Sequence, residues 1–168
     1  WHIQRLIIIF AAYYTILVFT KGFSYSIRVL IYLAINRSED RAIGSREISQ
    51  KLNIPVAFVS KILRNLVEAG FIVSHKGPQG GFRFVESTMD ITLADVIQIT
   101  DQRDYFTNVC VLHFGACNAS KPCPLHHLLV PVNVELKKFF EKTKFRQLLE
   151  ENKRETLERI FGKIQSGL

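Results

Sequence analysis

The sequence predicts a mainly α-helical fold that carries one small β-hairpin, and three observations support this prediction. Apolar residues recur at helical spacing in several separate segments of the chain. Two short runs rich in Phe, Ile and Val flank a turn with three glycines at residues 77–81. Apolar residues make up 48% of the 168-residue chain, which is enough to fill a hydrophobic core.

Residues 1–18 form an apolar N-terminal extension, and the chain carries no charge from Leu6 to Thr20. This run is shorter than the roughly 20 residues that a membrane-spanning helix needs, which disfavours a membrane anchor. Two interpretations remain open. The extension is either an additional packing helix or a stretch that does not belong to the native protein.

Three helices are predicted between residues 19 and 70. The second is expected to begin at Ser45, as its capping residue, after a polar loop at residues 36–44. The third is expected at residues 55–69, with Pro55 in its first position. The first helix is indicated by an apolar face formed by Phe23, Ile27, Leu30, Ile31 and Ala34.

A hairpin and a capped helix follow. Strands are predicted at residues 71–74 and 82–85, and Thr92 with Asp95 forms a capping box that starts a helix ending near Thr100. Residues 102–128 lack a steady period and are predicted to be a cysteine-rich loop. From Pro131 the pattern is helical again, so residues 129–168 are predicted to hold a dimerisation helix and a C-terminal helix.

The order of three helices followed by a hairpin predicts a winged helix-turn-helix over residues 19–101. The chain has 22 Lys and Arg against 15 Asp and Glu, and residues 45–83 carry six basic residues against two acidic ones. This charge favours a polyanionic partner, and with this fold the partner is double-stranded DNA. A solvent-facing polar surface is the alternative for any single residue. The predicted contacts are Ser45, Arg46, Ser60, Lys61, Arg64, Asn65, His75, Lys76, Gln79 and Gly80.

The three cysteines and one histidine are spaced Cys110-x6-Cys117-x5-Cys123-x2-His126. An odd number of clustered cysteines argues against a disulfide framework and favours metal ligands or free thiols in the reducing cytoplasm. The spacing alone leaves iron–sulfur, zinc and free thiols open. A thiol-based redox protein is disfavoured because the chain has no Cys-x-x-Cys motif, and no other catalytic signature predicts an enzyme.

Four apolar residues of the helix after Pro131 predict a homodimer. They would form a hydrophobic seam against a second copy, with packing on their own domain as the alternative. The predicted interface residues are Val132, Leu136, Phe139 and Phe140.

Three motifs resemble the Rrf2 family of bacterial winged helix-turn-helix regulators. They are the opening helix from Phe23 to Ala34, the segment Ile54-Pro55-x-x-Phe58-Val59-Ser60-Lys61-Ile62-Leu63, and the wing Lys76-Gly77-Pro78-x-Gly80-Gly81-Phe82. Arg is commoner in the family at the position of Lys76. The resemblance covers about residues 19–150, and it implies a transcription regulator that binds an inverted-repeat operator as a dimer.

The resemblance also implies a sensor. Cluster-binding members of the family carry three cysteines in this loop, spaced five and five, whereas the first gap here is six. This implies a [2Fe–2S] cluster held by Cys110, Cys117, Cys123 and His126, which would sense redox, nitric oxide or iron–sulfur status. A [4Fe–4S] cluster, zinc or no cofactor are the alternatives. Ser24 stands where another branch supplies an Asp ligand, and His113 and His127 are weaker substitutes for His126.

Overall fold

Helices dominate the computed structural model, which describes residues 20–38, 41–77, 79–101 and 120–150. The α-helices are α1 Lys21–Ile35, α2 Ser45–Leu52, α3 Val56–Glu68, α4 Leu93–Asp101, α5 His126–Lys142 and α6 Phe145–Glu150. The strands are β1 Ile72–His75 and β2 Gly81–Phe84, and a short 3₁₀ helix spans Glu86–Asp90. The predicted fold class is confirmed, and the described elements follow the predicted order. The extension at 1–18, residues 102–119 of the predicted cysteine-rich loop and the chain after residue 150 lie outside the described residues.

The α1 helix lies at the centre of the core and contacts α4, α3, β2 and α2. Its side chains Val29, Leu30 and Leu33 are almost completely buried. The buried side chains of this helix therefore determine how the other helices are placed. Burial of apolar side chains provides most of the stability of the fold.

The starts of α2 and α3 differ from the prediction by one residue. Gly44, with extended backbone angles, is the N-cap of α2, and Ser45 is already helical, so the predicted Ser45 cap is wrong. Pro55 is the N-cap of α3, and the helix begins at Val56. The fixed φ of proline is compatible with either position, and an extended ψ of 135° places Pro55 just outside the helix.

The capping box that starts α4 is confirmed. The Thr92 N–H donates to Asp95 Oδ2 over 2.7 Å, and the Asp95 N–H donates to Thr92 Oγ1 over 3.2 Å. These two hydrogen bonds satisfy donors that would otherwise lack partners at the start of the helix.

The start of α5 at His126 corrects the prediction of a helix from Pro131. The first turn closes before the proline, because the Leu129 N–H donates to the Leu125 carbonyl over 3.0 Å. Pro131 therefore lies inside the helix, where it removes one hydrogen bond near the N-terminal end. His126, one of the predicted metal ligands, is therefore the first residue of a helix and does not lie in a loop.

The hairpin pairs β1 with β2 in antiparallel register, with Val73 opposite Arg83 and Ile72 opposite Phe84. A third segment joins it, since Ile43 exchanges two backbone hydrogen bonds with Phe82, of 3.0 and 2.9 Å. The loop prediction for residues 36–44 missed this bridge. Gly81 allows it, because a Cβ there would lie 2.7 Å from the Ile43 backbone.

A polar triad fixes the loop before α2 to the central helix. The buried Tyr32 hydroxyl donates to Glu47 Oε1 over 3.2 Å, and Arg41 donates to both Glu47 oxygens, over 2.9 and 2.8 Å. Burial is the main cause that raises the pKa of Tyr32 to about 12, and the Glu47 carboxylate raises it further. The phenol is therefore favoured in its neutral form in the folded state.

Alkaline pH should remove stability that depends on Tyr32. Because the folded pKa is above the unfolded value, the contribution is complete below about pH 10 and is lost as pH rises towards about pH 12. Between about pH 8 and about pH 11, wild type should lose about 1 kcal/mol more than Tyr32→Phe in urea unfolding. Equal losses for the two proteins would contradict this assignment.

Among the described residues, no helix is both long enough and apolar enough to cross a membrane.

Candidate nucleic-acid interface and metal site

The α3 helix has one buried face and one exposed polar face. Val59, Leu63 and Leu66 pack into the core with almost no exposure. Ser60, Lys61 and Arg64 lie exposed on the outside, as the sequence predicted. A helix anchored in this way presents two cations and a hydroxyl to an external partner.

Asn65 lies at the edge of this exposed face rather than on it. The residue is half-buried, and its Nδ2 donates to the Ile99 carbonyl of α4 over 3.2 Å. The expectation that its side chain points outward is therefore corrected. The side-chain amide of Asn65 joins α3 to α4. The helical spacing of apolar residues in the sequence cannot predict such a long-range contact.

The turn between α2 and α3 is held by contacts that sequence reasoning missed. The buried Ser49 hydroxyl donates to the Ile54 carbonyl over 2.7 Å. Arg28 of α1 donates through Nη2 to the Leu52 carbonyl, which lies at the end of α2. Asn53 adopts the left-handed conformation at φ 51°, which asparagine tolerates better than most residues. These contacts fix the angle at which α3 leaves α2.

The first turn of α3 exposes two apolar side chains. The helical spacing of apolar residues predicts burial of both Phe58 and Val59, but 53% of Phe58 is exposed, and Val56 is also exposed. Val59 is buried, as the spacing predicts. The Phe58 ring contacts the ring of Tyr25 edge-on, with centroids 6.2 Å apart.

The predicted wing residues lie at the tip of the hairpin. His75, Lys76 and Gln79 are exposed, and Pro78 lies outside the described residues. Gly80 has a clear role within the hairpin, since a Cβ there would lie 2.5 Å from the His75 carbonyl oxygen. The tight turn therefore requires glycine at this position independently of any partner.

Of the four predicted metal ligands, Cys123 and His126 are described, and Cys110 and Cys117 are not. Cys123 is a half-buried thiol outside any disulfide. The His126 N–H donates to the Cys123 carbonyl over 2.9 Å, so a single turn joins these two residues at the start of α5. In the part of the chain that the structure describes, no three His, Cys, Asp or Glu side chains cluster as metal ligands would.

Asp101, the last described residue before the cysteine-containing segment at 102–119, is hydrogen-bonded to the start of α1. Asp101, the last residue of α4, accepts hydrogen bonds from the Thr20 hydroxyl, with 2.8 and 2.7 Å to its two oxygens. Thr20 is also the N-cap of α1, because its Oγ1 accepts from the Phe23 N–H over 3.1 Å. The described residue before the segment is thus bonded to the start of the central helix, and the described residues 120–125 after it lead into α5.

The α5 helix carries an apolar surface that the described residues leave uncovered. Val132 is 47% exposed and Phe139 51% exposed, while Leu136 is half-buried against the core. Phe140 is fully buried within the same chain, with its ring 5.6 Å from that of Phe23. Its predicted place in a dimer interface is therefore wrong, because it packs on its own domain.

Comparison with known proteins decides the family. The sequence profile of Rrf2, described as an iron-dependent transcriptional regulator, matches residues 19–151. The chain belongs to the Rrf2 family. It is also similar to a protein of Aquifex aeolicus named as an HTH-type transcriptional regulator, with 31% identity over 79% of this chain and 92% of the relative. IscR of Photobacterium profundum is 25% identical over 79% of this chain and 75% of its own length.

Solved Rrf2-like structures show the same fold. CymR of B. subtilis, titled the global cysteine regulator, has a TM-score of 0.64 at 18% identity, covering 80% of this chain and 97% of CymR. A transcriptional regulator from Listeria innocua has a TM-score of 0.62 at 19% identity, covering 89% and 92%. The family and the similar regulators of Aquifex aeolicus and Photobacterium profundum show that this Rrf2 protein is a DNA-binding transcription regulator and not an enzyme, as the sequence predicted.

Proposed function

We propose that this Rrf2 protein binds an inverted-repeat operator as a homodimer, with α3 in the major groove and the hairpin at the neighbouring minor groove. The observation that carries the proposal is the exposed face of α3 formed by Ser60, Lys61 and Arg64, opposite the buried face. Helices of this kind place short polar and long basic side chains against phosphates and base edges.

The charge on this face supports the proposal. Within the described residues, neither Lys61 nor Arg64 forms a salt bridge, so both cations are available to a phosphate or a guanine. Arg46 on α2 and Lys76 in the wing are exposed on either side of the helix in sequence. We expect these cations to release counterions when DNA binds, which gives a steep dependence on salt.

Selection of operators from a random DNA pool tests the proposal directly. The enriched sites should be inverted repeats with half-site centres about one helical turn apart, because a two-fold dimer presents two α3 helices. Affinity for the selected site should fall steeply as the salt concentration rises. Enrichment of no site, or of single asymmetric sites bound by monomers, would contradict the dimeric arrangement.

The homodimer is proposed to form along α5. Exposed or half-buried apolar residues recur at spacings of four, four and three along the helix: Leu128, Val132, Leu136 and Phe139. This is the spacing of a helical seam that packs against a second helix. A shallow depression lined by Pro131, Val132, Glu135 and Leu136 could receive a side chain of the second copy. The proposal keeps three of the predicted residues and replaces Phe140 by Leu128.

Phe139→Asp should convert the dimer to monomers in light scattering, because a carboxylate would be desolvated at the seam. Operator affinity should fall with it, since the two half-sites would no longer be bound together. Lys138→Gln is the matched control, because it removes one positive charge from the neighbouring exposed position on the same helix. A Phe139→Asp protein that remains dimeric would place the interface elsewhere.

The sensing part of the proposal concerns Cys110, Cys117, Cys123 and His126 as ligands of a [2Fe–2S] cluster. Thiolates and an imidazole form a donor set that suits iron–sulfur clusters, and Cys123 and His126 are already joined in one turn. The family description as iron-dependent supports the same choice. When bound, such a cluster would supply chemistry that responds to oxidants, nitric oxide or iron supply. The proposal places the protein in the cytoplasm, where its DNA and reduced thiols are found.

A further inference from the structure

A cavity of about 570 Å³ opens between the C-terminal end of α1, the loop that follows it and the hairpin. No residue of α3 lines it, so it lies apart from the face proposed to bind DNA. Leu33 and Ile43 contribute buried apolar surface, and Val73 of β1 adds a partly exposed apolar side chain. The cavity therefore has room and apolar surface for the body of a small organic molecule.

Among the described residues that line the cavity, basic side chains outnumber acidic ones. Arg37, Arg41 and Arg83 bring three guanidinium groups, whereas Glu86 is the one carboxylate among the described lining residues. Guanidinium groups bind carboxylates and phosphates through two parallel hydrogen bonds, which gives them selectivity for planar or tetrahedral anions. His75, at the end of β1, lines the same cavity.

The arginines differ in how far they are already occupied. Arg41 is oriented by its two hydrogen bonds to Glu47. Arg37 donates through Nη1 to the Ala34 carbonyl over 3.1 Å. It also lies 3.7 Å from Glu86, and since half or more of both side chains is exposed, this pair is weak and can be exchanged for another anion. Arg83 is the exceptional member, because its Nε is shielded from solvent and has no hydrogen-bond partner in the described part of the chain.

An unpaired, desolvated donor is unusual in a folded protein. Because Nε is shielded even from water, an anion in the cavity would have to bind the terminal guanidinium nitrogens of Arg83 and not Nε. Arg83 lies in the middle of β2, directly opposite Val73, so its backbone position is fixed by the sheet. We propose that this cavity binds a small organic anion that carries a carboxylate or phosphate group, with Arg83 and Arg37 holding the anionic group and Leu33, Ile43 and Val73 contacting its apolar body.

The location gives this ligand a route to regulation. The cavity is lined by both strands of the hairpin, and His75 also belongs to the predicted wing contacts. An anion that tightened the hairpin against α1 would change how the wing meets DNA, and couplings of this kind are typically about 5- to 150-fold in affinity. This regulatory consequence rests on the proposed DNA binding, whereas the binding of the anion does not.

Calorimetric titration of the full chain without DNA tests the site with three probes. Phenyl phosphate, which has both an anionic group and an apolar body, should bind saturably with Kd of about 1 mM or tighter. Inorganic phosphate and benzyl alcohol, which each lack one of these parts, should bind at least about 10-fold more weakly. Arg83→Met should weaken phenyl phosphate binding at least about 10-fold, and Arg83→Lys should weaken it less.

Two further variants keep the test interpretable. Lys51→Met, which removes one positive charge from the end of α2 outside the cavity, should bind phenyl phosphate like wild type. Arg37→Gln changes an exposed position and should also weaken phenyl phosphate binding. It therefore provides the test if Arg83→Met fails to fold. Absence of saturable binding to wild type, or equal binding by wild type and the folded arginine variants, would overturn the proposal.

The DNA backbone is the other source of a phosphate, and the same variants separate it. If wild type shows no saturable binding of phenyl phosphate, while Arg83→Met weakens binding to every duplex equally and lowers the salt slope by about one, the cavity takes a backbone phosphate and the proposal is wrong. Failure of the protein to bind any operator would contradict the proposed function alone, because the titrations contain no DNA.

Discussion

Arg64→Ala and Lys61→Ala should each weaken operator binding strongly while leaving the fold intact. Both side chains are exposed on α3 and make no ion pair within the described residues, so their removal costs little internal stability. An arginine that binds a guanine edge through two hydrogen bonds is worth about 1–3 kcal/mol, or about 5- to 150-fold in affinity. Fluorescence anisotropy on the selected operator measures the loss.

The two variants should also differ from each other. Loss of a phosphate contact weakens binding to all sequences and lowers the salt slope by about one, which we expect for Lys61. Loss of a base contact weakens the operator more than random DNA, which we expect for Arg64. Lys142→Ala, at the exposed end of α5, is the matched control and should change affinity less than about 2-fold. Operator binding by both α3 variants at the wild-type level would show that α3 is not the recognition helix.

Cys117→Ala should abolish the visible absorbance of anaerobically purified protein, because removal of one thiolate leaves a cluster without a complete ligand set. His126→Ala should weaken or shift the absorbance, since an imidazole ligand affects the electronic properties of the iron that it binds. The matched control is His127→Ala. Its ring lies 5.4 Å from that of His126, and the residue is exposed, so its removal should leave the spectrum unchanged if His126 is the ligand.

A colourless wild-type protein after anaerobic reconstitution with iron and sulfide would contradict the iron–sulfur assignment. Zinc analysis of the same sample would then distinguish a zinc-binding regulator from one with free thiols, since zinc accepts the same ligands without colour. If His127→Ala shifts the visible absorbance and His126→Ala does not, His127 and not His126 is the fourth ligand.

Local signals predicted most of the fold. The Thr92–Asp95 capping box, the glycine-rich turn and the apolar periods each depend on residues close together in sequence, and the structure confirms them. The bridge between Ile43 and Phe82 was missed because a single pair of backbone hydrogen bonds between distant segments carries no side-chain pattern. The observed starts of α2 and α3 differ by one residue from the predicted starts at Ser45 and Pro55, because neighbouring residues can each take the capping position.

The α5 helix shows why the site was harder to predict than the fold. Phe139 and Phe140 are adjacent and equally apolar, and the helical period cannot tell burial within a chain from burial between chains. The structure separates them, because Phe140 reaches Phe23 across the core while Phe139 remains exposed. The outward face of α3 was predicted correctly at Lys61 and Arg64, but the contact of Asn65 with α4 depends on tertiary packing alone.

We propose that the state of the cysteine-containing segment changes operator binding. The segment runs from Asp101, fastened through Thr20 to α1, to His126 at the start of α5. Binding of a cluster by the segment would thus bias the placement of α1 and α5. The α1 helix supports α3, and α5 is proposed to join the two copies. Such a bias would alter the spacing of the two recognition helices.

The most direct test is an anaerobic anisotropy titration of cluster-loaded and cluster-free protein against the same set of selected operators. We expect the two forms to differ by about 5- to 150-fold in affinity for at least one operator, with either form binding more tightly. Equal affinities for every operator, measured with protein whose visible absorbance shows the cluster to be present, would contradict it and leave the segment as a cofactor site without a switch.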